Sequence, residues 1–283
     1  MKFSRTEADV YVPDGASPDA ALGRTTHLCV AAHADDIEIM AQAAISECYG
    51  SAVRRFTGVV VTDGAGSPRA GPYAGRTDAE MIALRREEQR RAAGIGKYNL
   101  QIQLAHPSAE VKAPGNSDVA ADLGTIFAGC APGVVCLHNP ADKHDTHVAV
   151  LMRCLEALRG LPLAARPPRV LGCEVWRGLD WLADADKVPL DAGLRPELAG
   201  ELLRAFESQI AGGKRYDLAA IGRRAANATF YTSHRTDAAT AVIWAMDLTP
   251  LVANEKLSIR DYTLGYVDRL RADIAARLAK FGG

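Results

Sequence analysis

Five short apolar runs, at residues 26–32, 56–62, 98–105, 133–137 and 169–175, alternate along this chain with segments of helical periodicity. That alternation limits the fold more than any other feature. Consecutive parallel strands need a crossover of a dozen or more residues, usually a helix, and strands covered on both faces read as nearly continuous apolar runs. The expected fold class is therefore α/β, a Rossmann-like, mostly parallel sheet with helices on both faces and a mostly helical C-terminal portion. After the first run a helix is expected from near Asp36, with Ile37, Met40, Ala44 and Cys48 on one face, until Gly50 ends it. Thr77 and Glu80 have capping-box spacing and open a charged helix to about residue 93. Another is expected over residues 118–130. His147 begins a further one, in which Val148, Leu151, Leu155 and Leu158 keep a period near 3.6. Beyond residue 184 helices are expected over residues 197–210 and 216–230 and along the C-terminus, where Ile259, Tyr262, Tyr266, Val267, Leu270, Ile274 and Leu278 are in register. One domain over residues 20–283 results, with its core at about 26–175 and its helical portion at about 184–283. Residues 162–168 form one mild linker.

Each polar cluster follows a predicted strand. His33, Asp63, His106, His138 and Trp176 all fall where a run stops, so five loops can converge on one crevice at the carboxyl rim of the sheet, the place where open α/β sheets bind ligands.

The chemistry concentrates in two of these clusters. His33 and Asp36, three residues apart where a strand turns into a helix, can point to one centre. His147 can complete a His-Asp-His set that leaves a position open for water. Three protein ligands plus water is the arrangement of a catalytic zinc site, and bound zinc lowers the pKa of water from about 16 to near 7. Asp35 would then act as general base, and His144 would stabilise an oxyanion or protonate a leaving amine. Such a set suits hydrolysis of an unactivated amide or ester. The plainer alternative is that the paired aspartates cap a helix and favour its dipole, with the histidines as hydrogen-bonded rim residues. His138 and Asp142 are read as loop residues.

Other signals are weaker. The Asp63-Gly64-Ala65-Gly66 loop has neither a Walker lysine nor a GxGxxG register. Arg69 in that loop is a candidate for holding a substrate hydroxyl or anion, the alternative being a solvated arginine. Trp176 and Trp181 can stack on a sugar face or simply be buried. Ser67, Ser233 and His234 form no nucleophile elbow.

The formal net charge of −1 speaks against a general nucleic-acid binder, which carries a basic stripe. No apolar segment reaches the roughly 18 residues of a membrane span, and residues 1–13 hold no apolar signal core. The six cysteines stand singly in apolar surroundings with no CxxC pair, so they read as buried thiols of a cytoplasmic protein, and any metal site must use histidine and carboxylate.

The motif Ala32-His33-Ala34-Asp35-Asp36 after a strand, together with His144-Asp145-Thr146-His147, resembles the PIG-L/LmbE-like deacetylases over residues 26 to 175. The family's first motif usually reads AHPDDE and its second is an HxxH that opens a helix. Carried over, the resemblance implies that His33, Asp36 and His147 bind Zn2+, that Asp35 is the general base and that His144 assists the oxyanion or leaving group. It also implies a zinc-dependent hydrolase that removes an N-acetyl group from an N-acetylglucosamine-type amino-sugar derivative, a small-molecule substrate. A metal-dependent amidase for another acyl group or thiol conjugate is a second reading, and a non-catalytic sugar- or nucleotide-binding module a third. The sequence departs from the pattern in three places. Ala34 replaces the usual proline, Ile37 the usual glutamate (with Glu38 next), and Asp145-Thr146 reverses the familiar order before the second histidine. The helical portion is of a size to cover the crevice or to form a subunit contact in a homo-oligomer.

Overall fold

The computed structural model describes residues 1–283. Its strands are β1 (Asp9–Tyr11), β2 (His27–Ala31), β3 (Phe56–Thr62), β4 (Leu100–His106), β5 (Val134–His138), β6 (Val170–Cys173), β7 (Val188–Asp191) and β8 (Val242–Asp247). They form one sheet in the order β1-β4-β3-β2-β5-β6-β8-β7. The central five, β4-β3-β2-β5-β6, are parallel and are the five predicted runs. β1 extends one edge antiparallel, and β8 and β7 extend the other.

The helices are α1 (Pro18–Gly23), α2 (Asp36–Met40), α3 (Gln42–Cys48), α4 (Asp78–Ile95), α5 (Ser108–Lys112), α6 (Asp118–Ala128), α7 (Asp145–Arg159), α8 (Pro196–Arg204), α9 (Glu207–Ala211), α10 (Tyr216–Phe230), α11 (Thr249–Ala253) and α12 (Ile259–Lys280). They cover both faces. In β2 the alternation is plain: Leu28 and Val30 pack with Leu123 and Ile126 of α6 and Leu151 and Leu155 of α7. Cys29 and Ala31 pack on the other face with Ile37 and Met40 of α2, Ile45 of α3 and Leu202 of α8. Each fully buried Leu, Ile or Val contributes about 1.5–3 kcal/mol relative to exposure. Gly58 of β3 leaves room for two neighbours, since a Cβ there would stand 2.5 Å from Gln101 Oε1 of β4 and 2.9 Å from Ile37 Cδ1 of α2.

The predicted elements need correction in four places. The helix expected from Asp36 to Gly50 is two helices, broken at Ala41, whose φ of −115° leaves the helical region. The carbonyls of Glu38 and Ile39 near that break accept hydrogen bonds from Arg224 Nη2 at 2.7 and 3.0 Å. The helix expected over residues 197–210 is likewise split into α8 and α9. His147 lies two residues inside α7, which starts at Asp145 with His144 as its N-cap. The C-terminal portion is mostly helical but also supplies β7 and β8 to the common sheet. The capping box of Thr77 and Glu80 forms as predicted, and all six cysteines are free, five of them buried. No helix is long and apolar enough to cross a membrane.

Candidate active site

The strand order reverses between β2 and β5: the chain leaves β2 towards β3 on one side, and β5 towards β6 on the other. Loops from the two strand ends diverge there and open a crevice. His33, Asp35 and Asp36 follow β2, and His138, Asp142, His144 and His147 follow or end β5.

Three donor atoms meet at the centre. Asp36 Oδ2 is 3.1 Å from His33 Nδ1 and 3.1 Å from His147 Nε2, and those two nitrogens are 3.1 Å apart. Asp36 Oδ2 also accepts the His33 backbone N–H at 2.9 Å, which fixes the carboxylate. A proton shared between one pair leaves the third donor unanswered, whereas a cation answers all three. Donors bonded tetrahedrally to one zinc ion at about 2.0–2.1 Å lie about 3.3 Å from one another, close to this triangle, and two imidazoles with a carboxylate are a zinc-type set. The residues therefore fit the metal that the sequence resemblance implies. Burial opposes charge on His147, but Asp36 and Asp142 outweigh it and push its pKa up to about 9. Burial would raise Asp36 too, yet the charge and hydrogen bonds of His147 and His33 hold it well below the usual carboxylate range.

His138 and Asp142, read from sequence as loop residues, belong to this centre. His138 ends β5, is fully buried, and stacks on His147 with ring centroids 3.9 Å apart. Its Nε2 accepts the Ala32 backbone N–H at 2.9 Å, which commits that lone pair to the end of β2 and removes it from the ligand set. Desolvation and the neighbouring His147 push its pKa well down, so the ring is neutral. Asp142 Oδ1 stands 3.5 Å from His147 Nδ1, on the side of the ring away from Asp36, and accepts the His144 backbone N–H at 2.9 Å. Its Oδ2 accepts the Trp176 N–H at 3.1 Å. A carboxylate behind a ligating histidine orients the ring and raises its basicity. Asp142, then, and not Asp145, is the acid that supports the second motif.

Asp35 lies at the N-terminus of α2 with φ 89° and ψ −29°, a left-handed conformation that is costly for a residue with a side chain. Arg85 of α4 holds it there. Its Nη2 donates to Asp35 Oδ2 at 2.8 Å and to the Ala34 carbonyl. Its Nη1 donates to Glu88 Oε2 at 2.6 Å, and Glu88 in turn accepts the N–H and Oγ–H of Ser208 in α9 at 2.7 and 2.8 Å. All four residues are buried. Burial pushes the Asp35 carboxyl up to about 6, with Arg85 pulling the other way and Asp36 adding to the rise. A carboxyl poised near neutrality beside an ion site is suited to take a proton from water.

His144 lies against the triad, its ring 4.8 Å from that of His33 and 4.6 Å from that of His147. It lines a crevice of about 410 Å3 with His33, Asp35, Asp36 and the loop after β3. Arg69 does not: its guanidinium pairs with Asp78 and donates to the Ala65 carbonyl at 2.7 Å, away from the lining. Of the two tryptophans, Trp176 lines the crevice while Trp181 packs against the core. Arg85, Glu88 and Ser208 escaped sequence reasoning. The signal for Arg85 and Glu88 was the buried stripe Met81, Arg85, Glu88, Gln89 and Ala92 of α4, in which helical spacing is carried by polar residues; Ser208 had none.

Residues 28–158, from β2 through α7, match the profile of the PIG-L family, described as GlcNAc-PI de-N-acetylase. The matched segment, just under half of the chain, is similar to the PIG-L family. That description is of a de-N-acetylase, which cleaves an amide bond, and the matched segment holds all three donors of the triangle. Solved structures share the fold. N,N'-diacetylchitobiose deacetylase from Pyrococcus horikoshii is 16% identical with a TM-score of 0.63, covering 84% of this chain and 88% of that one. The A40926 pseudoaglycone deacetylase Dbv21 is 16% identical with a TM-score of 0.57, covering 79% and 97%. GalB, the 4-carboxy-2-hydroxymuconate hydratase from Pseudomonas putida KT2440, is 18% identical with a TM-score of 0.57, covering 79% and 96%. No curated protein matches the chain.

Proposed function

We propose that this chain is a zinc-dependent hydrolase of the PIG-L type that removes the N-acetyl group from an N-acetylglucosamine-type amino sugar. The observation that carries the reading is the triangle of His33, Asp36 and His147 beside a buried, arginine-held Asp35. The family description and the two deacetylases of like fold support it. When bound, the ion supplies a Lewis acid for the amide carbonyl and lowers the pKa of water. Asp35 receives the proton of the attacking water and passes it to the departing amine. His144, at the mouth of the triad, donates a hydrogen bond to the oxygen that gains charge. Arg85 keeps Asp35 oriented, and Asp142 keeps His147 oriented.

The test is elemental analysis of protein purified without added metal, with acetate release from free and glycosylated N-acetylglucosamine assayed before and after chelation. About one zinc per chain and chelator-sensitive release are expected. Failure to bind zinc even when it is supplied would return the Asp35-Asp36 pair to the role of helix cap.

A further inference from the structure

Two cavities meet at Asp35, Asp36, Trp176 and Tyr216, and they differ in the side chains that wall them. The crevice of about 410 Å3 has Ser67, Ser108, Lys112, Gln209 and Lys214 in its walls. The second, about 260 Å3, is walled by Ile39, Val175, Ala219 and Ala220 and by the rings of Trp176 and Tyr216. Lys143 and Arg223 complete its lining, and the Arg223 guanidinium is turned to the Val175 carbonyl.

An amide substrate divides at the scissile bond into an amine half and an acyl half. A hydroxyl-rich sugar satisfies its polar groups in the first cavity and leaves the second for the acyl group. An acetyl group brings one methyl, about the size of a water molecule, whose share of liquid volume is about 30 Å3. A cavity of about 260 Å3 holds several times that.

We infer that the smaller cavity, with Ile39, Val175, Ala219 and Ala220 in its wall, is an acyl subsite and that the enzyme also hydrolyses amides of linear acyl chains longer than acetyl, of about four to eight carbons on that scale. The inference rests on the amide hydrolysis proposed above and widens its acyl group beyond acetyl. The reaction balances as a hydrolysis: water adds its oxygen to the carbonyl carbon, the C–N bond breaks, and the products are a carboxylic acid and a free amine. Trp176 and Tyr216 face both cavities and divide them, so they position the scissile bond against Asp35 and Asp36.

The experiment compares N-acetyl-, N-butanoyl-, N-hexanoyl- and N-octanoylglucosamine as substrates of the zinc-loaded protein, following amine release. In parallel, acetate and hexanoate binding to chelator-treated protein is measured by calorimetry. The expected result is a kcat/KM for the hexanoyl amide about tenfold or more above that for acetyl, and hexanoate binding tighter by a similar factor. Filling the cavity with Ala220→Leu, or with Ala219→Leu from the exposed side of α10, should reverse the chain-length order. Hydrolysis of the acetyl amide alone, or hexanoate binding no tighter than acetate, overturns the acyl subsite and leaves the deacetylase. Hexanoate binding without hydrolysis of any amide in the series places the failure in the hydrolase reading and overturns the inference with it.

Discussion

Asp142 Oδ1 stands 3.5 Å from His147 Nδ1 while His147 Nε2 stands 3.1 Å from Asp36 Oδ2, so one imidazole is held between two carboxylates. One of them shares the proposed ion site and the other braces the ring from behind. The bracing role sets the first expectation. Asp142→Asn keeps the size and the acceptor for the His144 N–H but loses the charge. Zinc affinity should fall about 10–100-fold, as measured by competition with a chromogenic chelator. His147→Ala should abolish binding. An unchanged affinity in Asp142→Asn would mean that the carboxylate serves only the backbone of the loop.

The raised pKa of His147, about 9, makes metal uptake pH-dependent. A ligating imidazole must be neutral, so below that pH an entering ion displaces a proton. Apparent zinc affinity should rise about tenfold per pH unit from neutrality towards pH 9 and then level off. Titration of the chelator-treated protein at several pH values would read the slope, and a flat profile would show that His147 is already neutral.

Asp35→Asn preserves an acceptor for Arg85 yet cannot take a proton. Turnover should drop by about 10²–10⁴-fold while zinc content stays at the wild-type level. A zinc-loaded variant with near-normal turnover would remove Asp35 from the base role.

Glu88 is held by Arg85 on one side and Ser208 on the other, out of water. Glu88→Ala removes one of the two carboxylates paired with the buried guanidinium, and breaking a buried pair in this way costs about 3–5 kcal/mol. The loss should be visible as a lower urea midpoint with an unchanged slope. A loss within experimental error would show that Asp35 alone satisfies Arg85.

Glu38 offers a stability test away from turnover. Burial raises its pKa from the ordinary 4.5 to about 7, against the hydrogen bonds from Tyr98 and Gln89. The folded state thus keeps a proton that the unfolded chain has already released. Its contribution to stability is complete below pH 4.5 and is lost as pH rises through about 7. Glu38→Gln stays neutral throughout, so the fall in urea midpoint over that window should shrink in the variant. An identical fall in both proteins would assign it to other groups.

The parts of this molecule that could be read in advance are those in which local pattern and tertiary role coincide. Leu28 to Ala32 is a buried strand both by composition and by position, and His33, Asp35 and Asp36 stand at its end because a strand end is where polar residues can leave the core. His138 was illegible for the opposite reason: a histidine beside Asn139-Pro140 has the composition of a loop, and only pairing with β6 makes it the last residue of a strand. β7 carries a proline within four residues, and β8 is a short run whose partners lie far back in the chain, so neither shows a local period that distinguishes strand from helix. Arg85 and Glu88 sit in a helix rich in arginine and glutamate, where the charge pattern of a solvated face conceals the two that turn inward.

The ties from α9 and α10 back to the first motif bear on the order in which a nascent chain acquires its parts. His33, Asp36 and His147 have all left the ribosome well before Ser208 reaches Glu88 and Arg224 reaches the carbonyls of Glu38 and Ile39. During synthesis, therefore, the three ligands can meet an ion while the crevice still lacks the wall that carries Tyr216. The late segments would then close over a centre that had already taken up the proposed ion.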